Sequence, residues 1–145
     1  MSPVNRFEVL LVEDNPGDVY LTQEAFREGH LPLRLSVVGD GEQAMQYLRR
    51  QIPFEDATRP DLVLMDLNLP KKDGRELLAE LKQDPDLRHI PVIILTTSQS
   101  HQDIWRAYKL HANCYLTKPI EVDDFLRKIR SVEDFWLNIA RLPSN

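Results

Sequence analysis

An apolar run, Leu62-Val63-Leu64-Met65, enters after Pro60-Asp61 and stops on Asp66. Continuous apolarity over that length marks a strand buried on both faces, as in a parallel sheet with helices above and below. Residues 91–95 read the same way, Phe7–Val12 is a short, mostly apolar strand, Leu33–Val38 alternates loosely, and Cys114-Tyr115-Leu116 is a short last strand. Between them lie segments of helical period. Val19, Leu21, Ala25 and Phe26 follow Asp18, a residue type suited to an N-cap, and Gly29 closes that helix. Ala44, Met45 and Leu48 follow the Asp40-Gly41 turn. Leu77, Leu78 and Leu81 lie in 76–82, before Asp84-Pro85. Ile104, Trp105, Ala107, Tyr108 and Leu110 lie in 102–110, and Val122, Phe125, Leu126, Ile129, Val132, Trp136 and Ile139 mark a long final helix.

Five strands alternating with five helices predict βαβ units in one parallel, doubly wound α/β sheet. Right-handed crossovers then bring every strand's carboxyl end to one edge, where open α/β sheets place their ligands. Glu13, Asp14, Asp66, Thr96 and Lys118 all follow or end predicted strands, so the fold gathers them. Taken singly, an acid after a strand caps a turn, Lys118 is a surface lysine and Thr96 a strand-end hydroxyl. At one edge they form a constellation. The connection 51–59, with Pro53 and several charges, carries no chemistry of its own.

Composition narrows the function further. At 145 residues the chain fits one domain with a proper core, and 18 basic against 23 acidic residues give a net charge of −5. No basic run offers a nucleic-acid groove. The single cysteine, Cys114, excludes an internal disulfide and fits a reducing compartment. The start, Met1-Ser2-Pro3-Val4-Asn5-Arg6, lacks a signal-peptide core, and no segment reaches bilayer-spanning length, so a cytoplasmic protein is expected.

Three carboxylates crowded at one edge repel one another and call for a cation. With no His or Cys at these strand ends, a hard divalent ion, Mg²⁺, suits them better than zinc. Asp14 and Asp66 are the expected direct ligands, with the backbone carbonyl of Asn68 beside them and Glu13 acting through a water. Lys118 adds a second positive charge and Thr96 a hydroxyl. That grouping suits a phosphoryl group whose charge spreads over its oxygens, with Asp66 as the nucleophile.

Leu11-Val12-Glu13-Asp14, Met65-Asp66-Leu67-Asn68-Leu69-Pro70, Thr96-Thr97-Ser98 and Tyr115 with Lys118-Pro119 resemble the receiver domain of two-component response regulators. The resemblance implies a flavodoxin-like sheet of strand order 2-1-3-4-5. It implies Asp66 as phosphoacceptor, Glu13 and Asp14 as the acidic pair, and Lys118 as phosphate partner. Thr96 becomes the switch hydroxyl, drawn toward the phosphate, and Tyr115 the aromatic that moves inward with it. A cis peptide before Pro119 is implied as well. The receiver is expected over 1–131, with 132–145 extending the last helix and no separate output domain. More narrowly, 66–76, 110–118 and 132–137 resemble the single-domain regulators paired with cyanobacterial phytochromes. This implies a bilin-binding phytochrome histidine kinase as donor.

His111 ends a helix where a left-handed residue is often needed, and Cys114 reads as a buried thiol; together they are weak grounds for a metal or chromophore. Phe135, Trp136, Leu137, Ile139 and Leu142 exceed what one sheet face covers. Either they fold back on their own subunit or they pack on another, and a twofold dimer through the final helix, last strand and Trp105/Tyr108 helix is expected. The rival is a phosphatase or phosphotransferase of haloacid dehalogenase type. Its sites carry a second acid two residues after the nucleophile, where this chain has Asn68. A flavodoxin-like cofactor carrier is disfavoured because Glu13-Asp14 would repel phosphate after the first strand.

Overall fold

The computed structural model describes residues 6–143, so residues 1–5 and 144–145 of the two expected spans lie outside the described residues. Five strands, β1 (Phe7–Val12), β2 (Leu33–Val38), β3 (Leu62–Met65), β4 (Val92–Thr96) and β5 (Cys114–Thr117), form one sheet in the order β2-β1-β3-β4-β5. Every neighbouring pair is parallel. The helices α1 (Pro16–Arg27), α2 (Gly41–Leu48), α3 (Gly74–Gln83), α4 (His101–Lys109) and α5 (Val122–Val132) supply the crossovers.

The unbroken apolar runs explain this layering. Alternate residues of the inner strands enter different cores: Leu10, Val12, Val63, Met65, Val92 and Ile94 on one face, Val9, Leu11, Leu62, Leu64, Ile93 and Leu95 on the other. The first face is covered by α2 and α3, with Ala107 of α4; the second by α1 and α5. Burying both faces leaves only the strand ends free to carry polar groups.

The helix starts are sharper than the apolar periodicity could make them. Asn15, not Asp18, caps α1: its side chain accepts from the Asp18 N–H at 3.0 Å, and Pro16 opens the helix, where its missing N–H goes unused. Asp40, Asp73 and Ser100 cap α2, α3 and α4, so the last two begin before the first apolar residue of their repeats. At the far end of α4, His111 takes φ 72°, the left-handed conformation expected there.

Two expectations change. The Lys118–Pro119 bond is not cis; the cis bond among the described residues is Ile52–Pro53. Lys118 is oriented by the sheet instead, its N–H donating to the Thr96 carbonyl at 2.7 Å beyond the last β4–β5 pair. The final helix does continue, but α5 stops at Val132 and Glu133–Ile139 is wound as a π-helix. There Leu137 is buried and Trp136 and Leu142 pack on the second core, so this part of the tail folds back on its own subunit. Phe135 and Ile139 remain outside, 51% and 62% exposed. Among the described residues, no helix is long and apolar enough to cross a membrane.

Candidate phosphoacceptor site

Backbone hydrogen bonds continue past the strands and fix the site residues. Glu13 N donates to the Val38 carbonyl at 3.0 Å, Asp66 N to that of Val12 at 3.1 Å, and Lys118 N to that of Thr96. Glu13, Asp66, Thr96 and Lys118 are consequently brought together and buried. Gly74 secures the Asp66 side of the edge. Its N–H donates to the Leu67 carbonyl at 2.9 Å, and a Cβ there would run into the Asp66 carbonyl oxygen and the Leu67 Cα. Only glycine lets α3 start this close to Asp66.

The Lys118 ammonium is the centre of the site. It donates to Glu13 Oε1 at 2.6 Å, Asp66 Oδ2 at 2.7 Å and Asp18 Oδ2 at 2.8 Å, which uses all three of its N–H groups. Burial alone would lower its pKa, but the hydrogen bonds to Asp18, Asp66 and Glu13 together outweigh this and hold it above the ordinary lysine range. The Glu13 carboxyl is also held above its ordinary range. Burial raises it and the Asp66 charge adds to that, against the bond from Lys118 and the Asn15 N–H at 3.2 Å. Asp66 Oδ1 accepts from Asn68 N at 3.2 Å, so the turn after β3 orients the carboxylate.

Thr96 is the outlier in this satisfied network. Its side chain is 0% exposed, and its Oγ1 has no hydrogen-bond partner. A buried hydroxyl without a partner costs free energy, so it points to a group this site is built to receive. Tyr115 lies partly buried nearby, with its hydroxyl donating to the Ser98 carbonyl at 2.9 Å. Burial raises its pKa.

Asp14 and Asn68 lie exposed at the lip. Among the described residues no three acidic, His or Cys side chains converge as a ready-made metal cage, because Lys118 already stands between the carboxylates. The donor set nonetheless fits a hard cation. Three carboxylates around one ammonium leave two negative charges uncompensated before Asp14 is counted, and every donor is oxygen.

Asp18 is the residue that periodicity missed. The signal was Asn15-Pro16, a cap followed by an N1 proline, which places Asp18 in the first turn of α1 above the strand edge. His111 is exposed and Cys114 partly buried, its thiol pushed up by burial, which fits the helix cap and inert thiol expected of them.

Buried acid, lysine and hydroxyl groups thus meet at the carboxyl edge of a parallel sheet of this order. The chain belongs to the response regulator receiver domain family, which matches residues 9–130. It is 47% identical over 136 residues to the response regulator Rcp1 of Synechocystis sp., covering 94% of this chain and 92% of that one. Among solved structures it resembles the phosphorylated cyanobacterial phytochrome response regulator RcpA, with TM-score 0.94 and 48% identity over 97% of this chain and 100% of that one. The Mn²⁺-bound form of Rcp1 gives TM-score 0.92 and 46% identity, over 95% and 99%. The chain is a two-component receiver regulator related to these phytochrome response regulators, and the dehalogenase-type reading is not favoured.

Proposed function

We propose that Asp66 accepts a phosphoryl group from the phosphohistidine of a sensor histidine kinase and that the phosphorylated chain signals by conformational change. In the transfer the P–N bond to the donor imidazole breaks as a P–O bond to the Asp66 carboxylate forms, with attack in line. Lys118 neutralises charge on the incoming oxygens, and the Thr96 hydroxyl turns to the phosphoryl group it can donate to. Tyr115 follows, shifting a two-state equilibrium at α4, β5 and α5. The observation that carries this reading is Lys118 on the Asp66 carboxylate at 2.7 Å beside the buried, unpartnered Thr96 hydroxyl.

Asp14, Asp66 and the Asn68 carbonyl, with Glu13 through a water, would hold a divalent cation, Mg²⁺ by their all-oxygen chemistry. When bound, it screens the carboxylates from one another and from the phosphoryl oxygens. The likeness to Rcp1 and RcpA supports a bilin-binding phytochrome as the kinase, a cytoplasmic location, and residues 1–131 as the receiver, with 132–145 as an extension rather than an output domain. The exposed Trp105, Tyr108, Phe135 and Ile139 support a twofold homodimer, and the acidic balance argues against a nucleic-acid partner. The chain assists its own phosphorylation and dephosphorylation, but with Asn68 in place of a second acid it does not turn over phosphate esters.

Labelled phosphoryl transfer from a phytochrome kinase tests the reading. The parent takes up an acyl phosphate, Asp66→Ala takes up none, and Lys118→Ala keeps part of the uptake while losing the response. Label retained in Asp66→Ala, or more than a trace of p-nitrophenyl phosphate hydrolysis by the parent, refutes it.

A further inference from the structure

A chain of polar contacts outside the phosphoacceptor edge leads from α3 to Tyr115. Arg75, in the first turn of α3, donates through Nη2 to Asp103 Oδ1 at 2.8 Å. The other oxygen of that carboxylate, Oδ2, accepts from the Ser98 hydroxyl at 2.6 Å. Ser98 in turn presents its carbonyl to the Tyr115 hydroxyl. The two Asp103 oxygens therefore serve two different elements, α3 and the β4–α4 loop that follows Thr96.

Both ends of this chain are anchored. Asp73 caps α3 through Arg75 N at 3.0 Å and also accepts from Arg75 Nη1, which aims the guanidinium. Ser100 caps α4 through Asp103 N at 3.2 Å, which fixes the carboxylate. Next to Arg75, Gly74 N donates to the Leu67 carbonyl at 2.9 Å, and the backbone of Asp66 and Leu67 leaves no room there for a Cβ. The Arg75 and Asp103 side chains are only 19% and 23% exposed, so the pair is shielded from much of the screening that weakens surface ion pairs.

The geometry points to Arg75 and Asp103 as positioning residues for the response, holding the Ser98 carbonyl where Tyr115 can donate to it and tying that acceptor to the backbone of Asp66. This second connection between Asp66 and Tyr115 does not pass through Thr96. It rests on the phosphoacceptor reading for its role in signalling, while the contact itself is testable in the protein before any phosphoryl transfer.

Fluorine NMR of the full chain labelled with 3-fluorotyrosine reads it directly: four tyrosines give four signals, and Tyr115→Phe assigns the one at issue. Arg75→Met and Asp103→Ala should each move the Tyr115 signal toward that of exposed Tyr20, while Arg75→Lys holds it near its parent position. The double variant should move it no further than Asp103→Ala alone, since both act through one chain of contacts. Phosphoryl uptake by the Arg75 and Asp103 variants should match the parent. A Tyr115 signal unmoved in a folded Asp103→Ala, or shifts that simply add in the double variant, overturns the proposal. If Asp103→Ala does not fold, Asp103→Asn keeps the side-chain shape, and Arg75→Met alone carries the same reading. Loss of uptake by the parent would refute the phosphoacceptor assignment and leave the Tyr115 signal as an independent result.

Discussion

At the scale of single residues, the site sets a fully satisfied lysine beside a hydroxyl with no partner. Lys118 meets three carboxylates, whereas Thr96 Oγ1 meets none of the polar groups around it. These call for opposite responses to mutation. An unpartnered buried hydroxyl costs about 1–3 kcal/mol, so Thr96→Val, of nearly equal volume, should leave stability unchanged or raise it by about 1 kcal/mol. That gain corresponds to about 2–4 °C in Tm for a chain of this size. The variant should still take up phosphate on Asp66 but lose the Tyr115 and α4 response, read as a calorimetric Tm and a change in Trp105 fluorescence. A marked drop in Tm would mean that the hydroxyl has a structural partner after all. Glu13, Asp66, Thr96 and Lys118 were legible from strand ends alone. Asp18 was not, because its role depends on which residue caps α1, a choice between neighbouring side chains that apolar periodicity does not encode.

At the scale of elements, the junction of α5 with the π-helix stands apart. Glu133, the first π-helical residue, is buried over Gly29 at the end of α1, and its Oε1 has no partner. Burial raises its pKa, with Asp134 adding to this and His30 opposing it. A carboxyl raised in the fold holds its proton to higher pH than in the unfolded chain. Its contribution is therefore most favourable below the ordinary glutamate range and is lost as pH rises through the folded value. Glu133→Gln should match the parent's urea midpoint at pH 4 and exceed it at pH 8. Equal midpoints at both pH values would contradict a buried, charged Glu133. The apolar repeat through Val122, Ile129, Val132, Trp136 and Ile139 was enough to predict that the helix runs on. It could not predict the change of winding, because a repeat of apolar residues fixes which face is covered and not which carbonyl each N–H reaches.

At the scale of the whole molecule, one sheet edge gathers the candidate site and several large apolar side chains are left uncovered. Trp105 is 68% and Tyr108 48% exposed on α4, while Phe135 and Ile139 project from the tail. Large exposed apolar groups are commonly covered by another protein, and a second copy is the proposed cover. Light scattering at tens of micromolar should then give a mass near 34 kDa, about twice the 16.9 kDa chain. Trp105→Glu with Phe135→Glu should return it to the single-chain mass. A single-chain mass for the parent, with and without phosphorylation, removes the dimer. By itself the sequence determined the parallel sheet and the shared edge that gathers Glu13, Asp14, Asp66, Thr96 and Lys118, because inner strands buried on both faces put charge at their ends. Only the tertiary structure decided the partners: Asp18 joining Glu13 and Asp66 on Lys118, Arg75 reaching Asp103, and half the tail returning to its own core. The physical reason is range. Burial pattern is written residue by residue along the chain, whereas a hydrogen bond is decided within a few tenths of an ångström between side chains that may lie 100 positions apart, as Asp18 and Lys118 do.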